Sequence, residues 1–339
     1  MNKILCFGEL LLRMSPALHG KWLNNATMPV YTGGAELNVA AALAKWNMPV
    51  SYFTALPDNY LSHEICNDLT QRNIDINNIH FSGDRIGIYF LPQGADLKHT
   101  GVIYDRSHSS FAALKPGIID WEKVLHNISW FHFSAISPAL NEHTALLCKE
   151  VLAVATKKNI TISVDLNYRS KLWQYGKKPS EIMPELVTHC DVIMGNIWSA
   201  NILLGTEVDE NIHAKATQED YLAHAKATAV NIQKQFPKCK TVANTFRFDV
   251  NENGILYYTS LFINDEQYNS AKFKTDKITD KVGSGDCFMA GLIYGLYNKH
   301  EPQQIINFAT AAAFGKLHET GDFTSQDIGT VNKRIKNHG

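Results

Sequence analysis

The residues best suited to chemistry lie late in the chain, in Asp280-Lys281-Val282-Gly283-Ser284-Gly285-Asp286, which runs into Cys287-Phe288-Met289-Ala290-Gly291-Leu292. Polar residues and two glycines ahead of an apolar run spaced by Ala and Gly predict the start of a helix buried on most sides. Gly283 and Gly285 let the backbone turn tightly and leave the amides of Gly283, Ser284 and Gly285 free at that start. Free amides and the positive end of a helix dipole make an anion hole. Asp286 conflicts with this simple reading, because a carboxylate repels an anion. A neutral group with a proton to lose, held between the two, resolves the conflict. A hydroxyl that accepts a phosphoryl group fits, with Asp286 as its base and the amides facing the transferring group. Since that transition state is loose and the proton leaves late, a base of ordinary carboxylate pKa suffices. The plainer alternative is a helix start capped by an aspartate. The second glycine, Asp280 six residues upstream and the small-residue helix favour the chemical reading.

These residues need a scaffold, and the chain reads as an α/β one. Ile4 to Gly8 is a short apolar run of the kind that makes a central parallel strand. Leu10 to Met14 predicts a strand leaving the core, and Ser15 to Pro29 is loop-rich. The pair Gly33-Gly34 then opens an Ala-rich helix with Asn38 one turn in, a close backbone approach to a neighbour or to a ligand. Val50 to Ala55 is the next strand and a helix follows to about Arg72, so the alternation points to a doubly wound, mainly parallel sheet with helices on both faces. The pattern breaks at Arg85–Leu91 and Gly101–Asp105, two strands with only a polar loop between them. With the segment Leu10–Tyr31 they predict a small β lid over the site, from which Tyr89, Tyr104 and Arg106 project unless the tyrosines serve only cross-strand packing. Strands resume at Ser129–Ser134, Ile160–Asp165, Asp191–Asn196 and Lys240–Thr245. Ligands bind at the carboxyl ends of such strands, which makes Asp165, Asn167, Arg169, Asn196 and Thr245 candidates to line one cleft. A last Ala-rich helix is expected over Asn307–Leu317, followed by a turn at Gly321-Asp322-Phe323.

Composition excludes several function classes. The chain has 339 residues, with Lys+Arg 32 against Asp+Glu 33, so no net field draws it to nucleic acid or anionic lipid. Its six cysteines are scattered without a Cys-x-x-Cys pair, which predicts reduced thiols rather than a disulfide frame or a zinc site. Cys287 reads as a small apolar packing residue. The fourteen histidines show no metal-ligand spacing, and no structural metal is expected. A strand almost at the N-terminus leaves no signal peptide, and no apolar run reaches the ~20 residues of a membrane span. A soluble cytoplasmic globular protein is expected. Gly-x-Gly-x-x-Gly after the first strand and Gly-x4-Gly-Lys-Ser/Thr anywhere are both absent, which removes the Rossmann and P-loop solutions to phosphate binding.

The late glycine-rich stretch resembles the C-terminal signature of the pfkB (ribokinase-like) carbohydrate kinases, whose usual form is Asp-Thr-Val-Gly-Ala-Gly-Asp. Here Lys281 replaces the threonine and Ser284 the alanine. The stretch Gly33–Asn38 is similar to the family's N-terminal, sugar-contacting signature. The similarity extends over nearly the whole chain through Gly8–Arg13, Arg85–Phe90, Ile103–Arg106, Asp165–Arg169 with Leu172-Trp173, and Gly321–Phe323, and is strongest to 2-keto-3-deoxygluconate kinases. It implies one ribokinase-like domain over 1–339, with a lid from about 10–32 and 84–112. It also implies ATP-dependent, Mg2+-assisted phosphorylation of 2-dehydro-3-deoxy-D-gluconate to the 6-phosphate. Asp286 would be the base. Gly34, Asn38, Tyr89, Tyr104, Arg106, Arg169 and Asp322 would bind the sugar acid. Asn167, Asn196, Thr245, Gly283, Gly285 and Asn307 are the expected nucleotide contacts. Two elements depart from the family: the Asn-x-x-Glu that helps organise magnesium ends in Ser199, and the phosphate loop is reduced to Thr245-Phe246-Arg247. Arg247 and Lys281 either replace the missing charge or are surface groups. A neutral-sugar kinase of the same family and a non-catalytic sugar-acid sensor are the alternatives. A homo-oligomer is expected, paired through the lids if their outer faces are apolar.

Overall fold

The structure, a computed structural model, describes residues 2–16, 22, 27–92, 101–209, 212, 217–250 and 254–338. Seven parallel strands form the centre of the main sheet. In spatial order they are Ile74–Asp75, Val50–Phe53, Lys3–Phe7, Ile128–Ser134, Thr161–Asp165, Val192–Gly195 and Thr241–Asp249. The chain begins in the middle, winds outward through Val50–Phe53, then returns to the other side at Ile128–Ser134. The switch point therefore lies between Lys3–Phe7 and Ile128–Ser134, where the crossovers diverge and leave a crevice beyond the strand ends.

Alternate residues of each strand enter two different cores. Ile4 and Cys6 pack with the helices Ala35–Lys45, Ser284–Tyr297 and Pro302–Lys316. Leu5 and Phe7 pack on the other face with Glu142–Lys157 and Pro179–Val187. Burial on both faces explains why these strands read as unbroken apolar runs. All six cysteines are buried and free, Cys287 among them.

The far edge differs from the expected alternation. The strand predicted over Lys240–Thr245 continues to Asp249 and pairs antiparallel with Ile255–Ile263, which in turn pairs with Glu266–Asn269 and Phe273–Thr275. The sequence reading assigned no strand to 254–275. The last Ala-rich helix also starts earlier than Asn307, at Pro302, whose ring suits a first helical position.

A second, four-stranded sheet runs Val30–Gly33, Leu11–Met14, Gly87–Phe90, Ile103–Asp105. This is the expected small β layer, although 17–21, 23–26 and 93–100 of the predicted lid segments lie outside the described residues. Its strands alternate: Leu11, Arg13 and Tyr89 are buried, while Leu12, Met14 and Phe90 are only half-buried. The buried face packs Leu11, Tyr89, Leu91 and Val102 on Val282, within the glycine-rich stretch itself. No helix among the described residues is long and apolar enough to cross a membrane.

Candidate active site

Helix Ser284–Tyr297 begins as the sequence predicts, with Gly283 at its N-cap in the left-handed region at φ 77°. A side chain there would also meet the Asp322 carbonyl at 2.5 Å, so only glycine fits. Ser284 Oγ donates to the Ala313 carbonyl at 3.1 Å, which pins the helix start to helix Pro302–Lys316. Gly291 lets the two helices touch, since a Cβ on it would fall 2.5 Å from Ala309 Cα. The turn that presents the amides is thus held from below and from the side.

Asp286 sits in the first turn and is 8% exposed. Asn38 Nδ2 donates to its Oδ2 at 2.7 Å, while Asn38 Oδ1 is buried without a partner among the described residues. Burial pushes the Asp286 carboxyl up to about 7; the Asn38 hydrogen bond and the Arg169 charge oppose the rise, and the Glu36 and Asp322 carboxylates add to it. A base of ordinary carboxylate pKa would suffice for a late proton transfer, and here burial raises the group well above that range. Desolvation could not be read from a motif, because it depends on what covers the group.

Asp286 opens into a cleft enclosing about 1290 Å³ of empty space, its mouth included. Gly34, Asn38, Tyr89, Tyr104, Arg106 and Arg169 line it, as do Gly283, Ser284 and Gly285. So do the strand-end residues Asp165, Asn167, Asn196 and Thr245. Chain positions from Gly34 to Asp286 thus converge beside the carboxyl ends of strands Thr161–Asp165, Val192–Gly195 and Thr241–Asp249, with lid residues Tyr89, Tyr104 and Arg106 on the same cleft. Tyr89 and Tyr104 stand opposite each other in the lid ladder, with ring centroids 6.3 Å apart, so cross-strand packing and cleft lining are both true of them. Arg247 and Lys281 are cleft residues rather than surface ones, and Lys281 also pairs with Asp249 at 3.0 Å.

Two expected contacts are not on the cleft lining. Asp322 is buried behind it, taking Arg13 Nε at 2.8 Å and the Tyr89 hydroxyl at 3.2 Å. Asn307 lies on helix Pro302–Lys316 and accepts from Gln303 near the surface. Local motif spacing places neither, since both positions follow from how that helix and the turn after it pack.

Three acidic residues, Glu9, Glu36 and Asp280, take partners that no motif names. Glu9 accepts both Nε and Nη2 of Arg106 and the hydroxyl of Ser109. Arg106 pairs with Glu9, while its chain neighbour Asp105 pairs with Arg85 at 2.8 Å. Glu36 lies buried beneath Gly8 and accepts from the amide and hydroxyl of Ser134. Asp280 binds Arg13 Nη2 at 2.9 Å and the Val282 amide at 3.1 Å, which ties the catalytic turn to the lid. The available signal was a charged residue beside a motif glycine, at Gly8-Glu9 and at Gly34-Ala35-Glu36.

No cluster of three metal-ligating side chains occurs among the described residues. Asn196 Oδ1 caps its own helix by accepting the amide of Ser199 at 2.8 Å, the position where the family's pattern has its glutamate. This donor set fits a magnesium ion carried mainly by phosphates and water, which needs few protein oxygens.

A pfkB family carbohydrate kinase profile matches residues 1–327. The chain is 33% identical to the 2-dehydro-3-deoxygluconokinase of Thermotoga maritima in its crystal structure, with a TM-score of 0.89 over 99% of this chain and 100% of that one. A 2-dehydro-3-deoxygalactonokinase from Haloferax volcanii is 27% identical over 322 residues, 94% of this chain and 92% of the relative. A candidate ribokinase II from Escherichia coli, solved with ATP and Mg2+, shares the fold at a TM-score of 0.76 and 15% identity over 100% of both chains. The agreement spans nearly the whole length, and the protein belongs to the pfkB family of carbohydrate kinases: it is a sugar kinase.

Proposed function

We propose that this kinase uses ATP to phosphorylate the 6-hydroxyl of 2-dehydro-3-deoxy-D-gluconate. The observation that carries the reading is two guanidinium groups, Arg106 and Arg169, on the same cleft as Asp286. A neutral sugar needs hydroxyl partners and offers no carboxylate, whereas arginine pairs with a carboxylate through a planar fork. The names of the Thermotoga and Haloferax relatives point to keto-deoxy sugar acids as well. Arg106 enters this role already bound to Glu9 through Nε and Nη2.

In the mechanism, Asp286 accepts the proton of the attacking hydroxyl, and Asn38 holds the carboxylate by one oxygen. The buried Asn38 Oδ1 offers an acceptor to a sugar hydroxyl. The amides of Gly283, Ser284 and Gly285 stabilise charge on the transferring group. Arg247, Lys281 and Thr245, which also line the cleft, would hold the nucleotide phosphates. Bound Mg2+ supplies charge neutralisation at the nucleotide phosphates. Closure of the lid, which carries Tyr89 and Tyr104, would exclude water from the reaction.

The outer lid face supports pairing of two copies. Val30, Met14, Phe90 and Ile103 form one cross-strand row on that face, with Val30 50% and Ile103 52% exposed. Ile103→Lys should shift the protein toward monomer in light scattering.

A coupled ATP-turnover screen of keto-deoxy sugar acids against fructose and ribose tests the substrate. Preference for the acid is expected. Equal efficiency on fructose would overturn the reading in favour of a neutral-sugar kinase, and no turnover on any sugar would favour a sensor.

A further inference from the structure

Beneath the catalytic turn lies a charged group that the mechanism above does not use. Lys316, the last residue of helix Pro302–Lys316, is completely buried. Its Nζ donates to the backbone carbonyls of Gly321 at 2.7 Å and Glu319 at 3.4 Å. Among the ion pairs of the described residues it has no carboxylate partner. A lysine that closes its own helix end ordinarily does so from solvent. A fully buried ammonium held only by carbonyls is unfavourable on its own, so capping does not account for the placement.

The surroundings supply a reason. Lys316 Cε lies 3.2 Å from the point where a side chain on Gly283 would begin, and the Asp322 carbonyl lies 2.5 Å from the same point. The lysine stem, the Asp322 backbone and Gly283 are therefore stacked back to back. The ammonium holds the turn after the helix, that turn seats Asp322 under Gly283, and Gly283 aims the amides. Asp322 is braced from the lid side by Arg13, which also binds Asp280 at the head of the same turn. With water excluded, a positive charge there is weakly screened.

We propose that Lys316 is a built-in cation of the anion hole. It is a positioning residue that fixes the floor beneath Gly283 and adds positive potential where charge grows on the transferring phosphoryl group. The proposal rests on reading Gly283–Asp286 as the transfer site, and not on which sugar is used.

Lys316→Met tests it, with turnover followed on whichever sugar or sugar acid the wild type phosphorylates, alongside urea unfolding. Methionine has a similar length without the charge, and relief of the buried charge offsets loss of the hydrogen bonds to Gly321 and Glu319, so stability should change little. The kcat should fall about 10- to 100-fold, somewhat less than on loss of a direct anion-hole donor, with the sugar KM little changed. A purely structural lysine gives the reverse, lower stability at an unchanged kcat, and that result overturns the proposal. Should the methionine variant not fold, Lys316→Ala decides: recovery of turnover with added ammonium or methylammonium supports the role, and a folded variant without recovery overturns it. Failure of the sugar-acid reading shows separately, as wild-type preference for fructose or ribose.

Discussion

Asp286→Asn should make the protein more stable and nearly inactive, and the stabilisation should depend on pH. The carboxyl titrates near 7 in the folded chain against 3.8 for the unperturbed group, chiefly because it is buried. An acid whose folded pKa is raised binds its proton more tightly folded than unfolded. Stability is therefore lost as pH rises through the window from 3.8 to about 7, and the loss is complete above it. About 3 pKa units at 1.36 kcal/mol each give about 4 kcal/mol. That figure is an upper one, because local relaxation and water entry relieve part of the desolvation. Asparagine is neutral at every pH and still accepts from Asn38, so the variant escapes the penalty. Urea unfolding of both proteins at about pH 8 and about pH 4.5 should show the variant ahead by about 2–4 kcal/mol at the higher pH and by about 1 kcal/mol or less at the lower. Turnover at the higher pH should fall by about two to four orders of magnitude, the scale of a general base. A stability difference of equal size at both pH values, or a wild type that is the more stable at pH 8, would refute the reasoning. Near wild-type turnover in folded Asp286→Asn would remove the residue from the mechanism.

In the wild type, kcat/KM should decline as pH falls below about 7, where Asp286 takes up its proton, and a pH–rate profile flat from neutral to acid would contradict this. Arg169→Ala should raise the KM for the keto-deoxy acid steeply, by the equivalent of about 2–5 kcal/mol, while moving that for ATP less; parallel rises in both would place Arg169 elsewhere in the mechanism. Gly285 faces open cleft, with nothing within 4 Å of the point where a Cβ would stand, so Gly285→Ala should fold normally yet crowd the transferring group and lower kcat. Arg13→Ala leaves Asp280 and Asp322 buried without their cation and should destabilise the fold by about 3–5 kcal/mol in urea unfolding. Turnover should require Mg2+ despite Ser199, and be lost on chelation and restored on readdition, because the ion depends more on phosphates than on protein carboxylates.

Much of this protein was legible in one dimension because the signals are local. A left-handed glycine followed by small residues specifies the turn into helix Ser284–Tyr297 whatever surrounds it, and so residue order alone singles out Asp286 and its amides. Strands buried on both faces announce themselves as apolar runs, and the short spacing of Arg85–Leu91 and Gly101–Asp105 leaves no room for a helix between them. The antiparallel edge over 254–275 breaks the strand–helix alternation, and a strand at a sheet edge carries no mark in the sequence of its pairing direction. Only tertiary packing decided the charges. Glu9 meets Arg106 across 97 residues, and Arg13 meets Asp322 across 309. A pairing at such separation has no periodicity for a sequence to display. The pKa of Asp286 belongs to the same class: the residue type makes it an acid, but burial raises it, and the Glu36 and Asp322 carboxylates, distant in sequence, add to the rise. Residue identity determines which groups can react, and burial and charge pairing, which are sums over the whole fold, determine their protonation and aim.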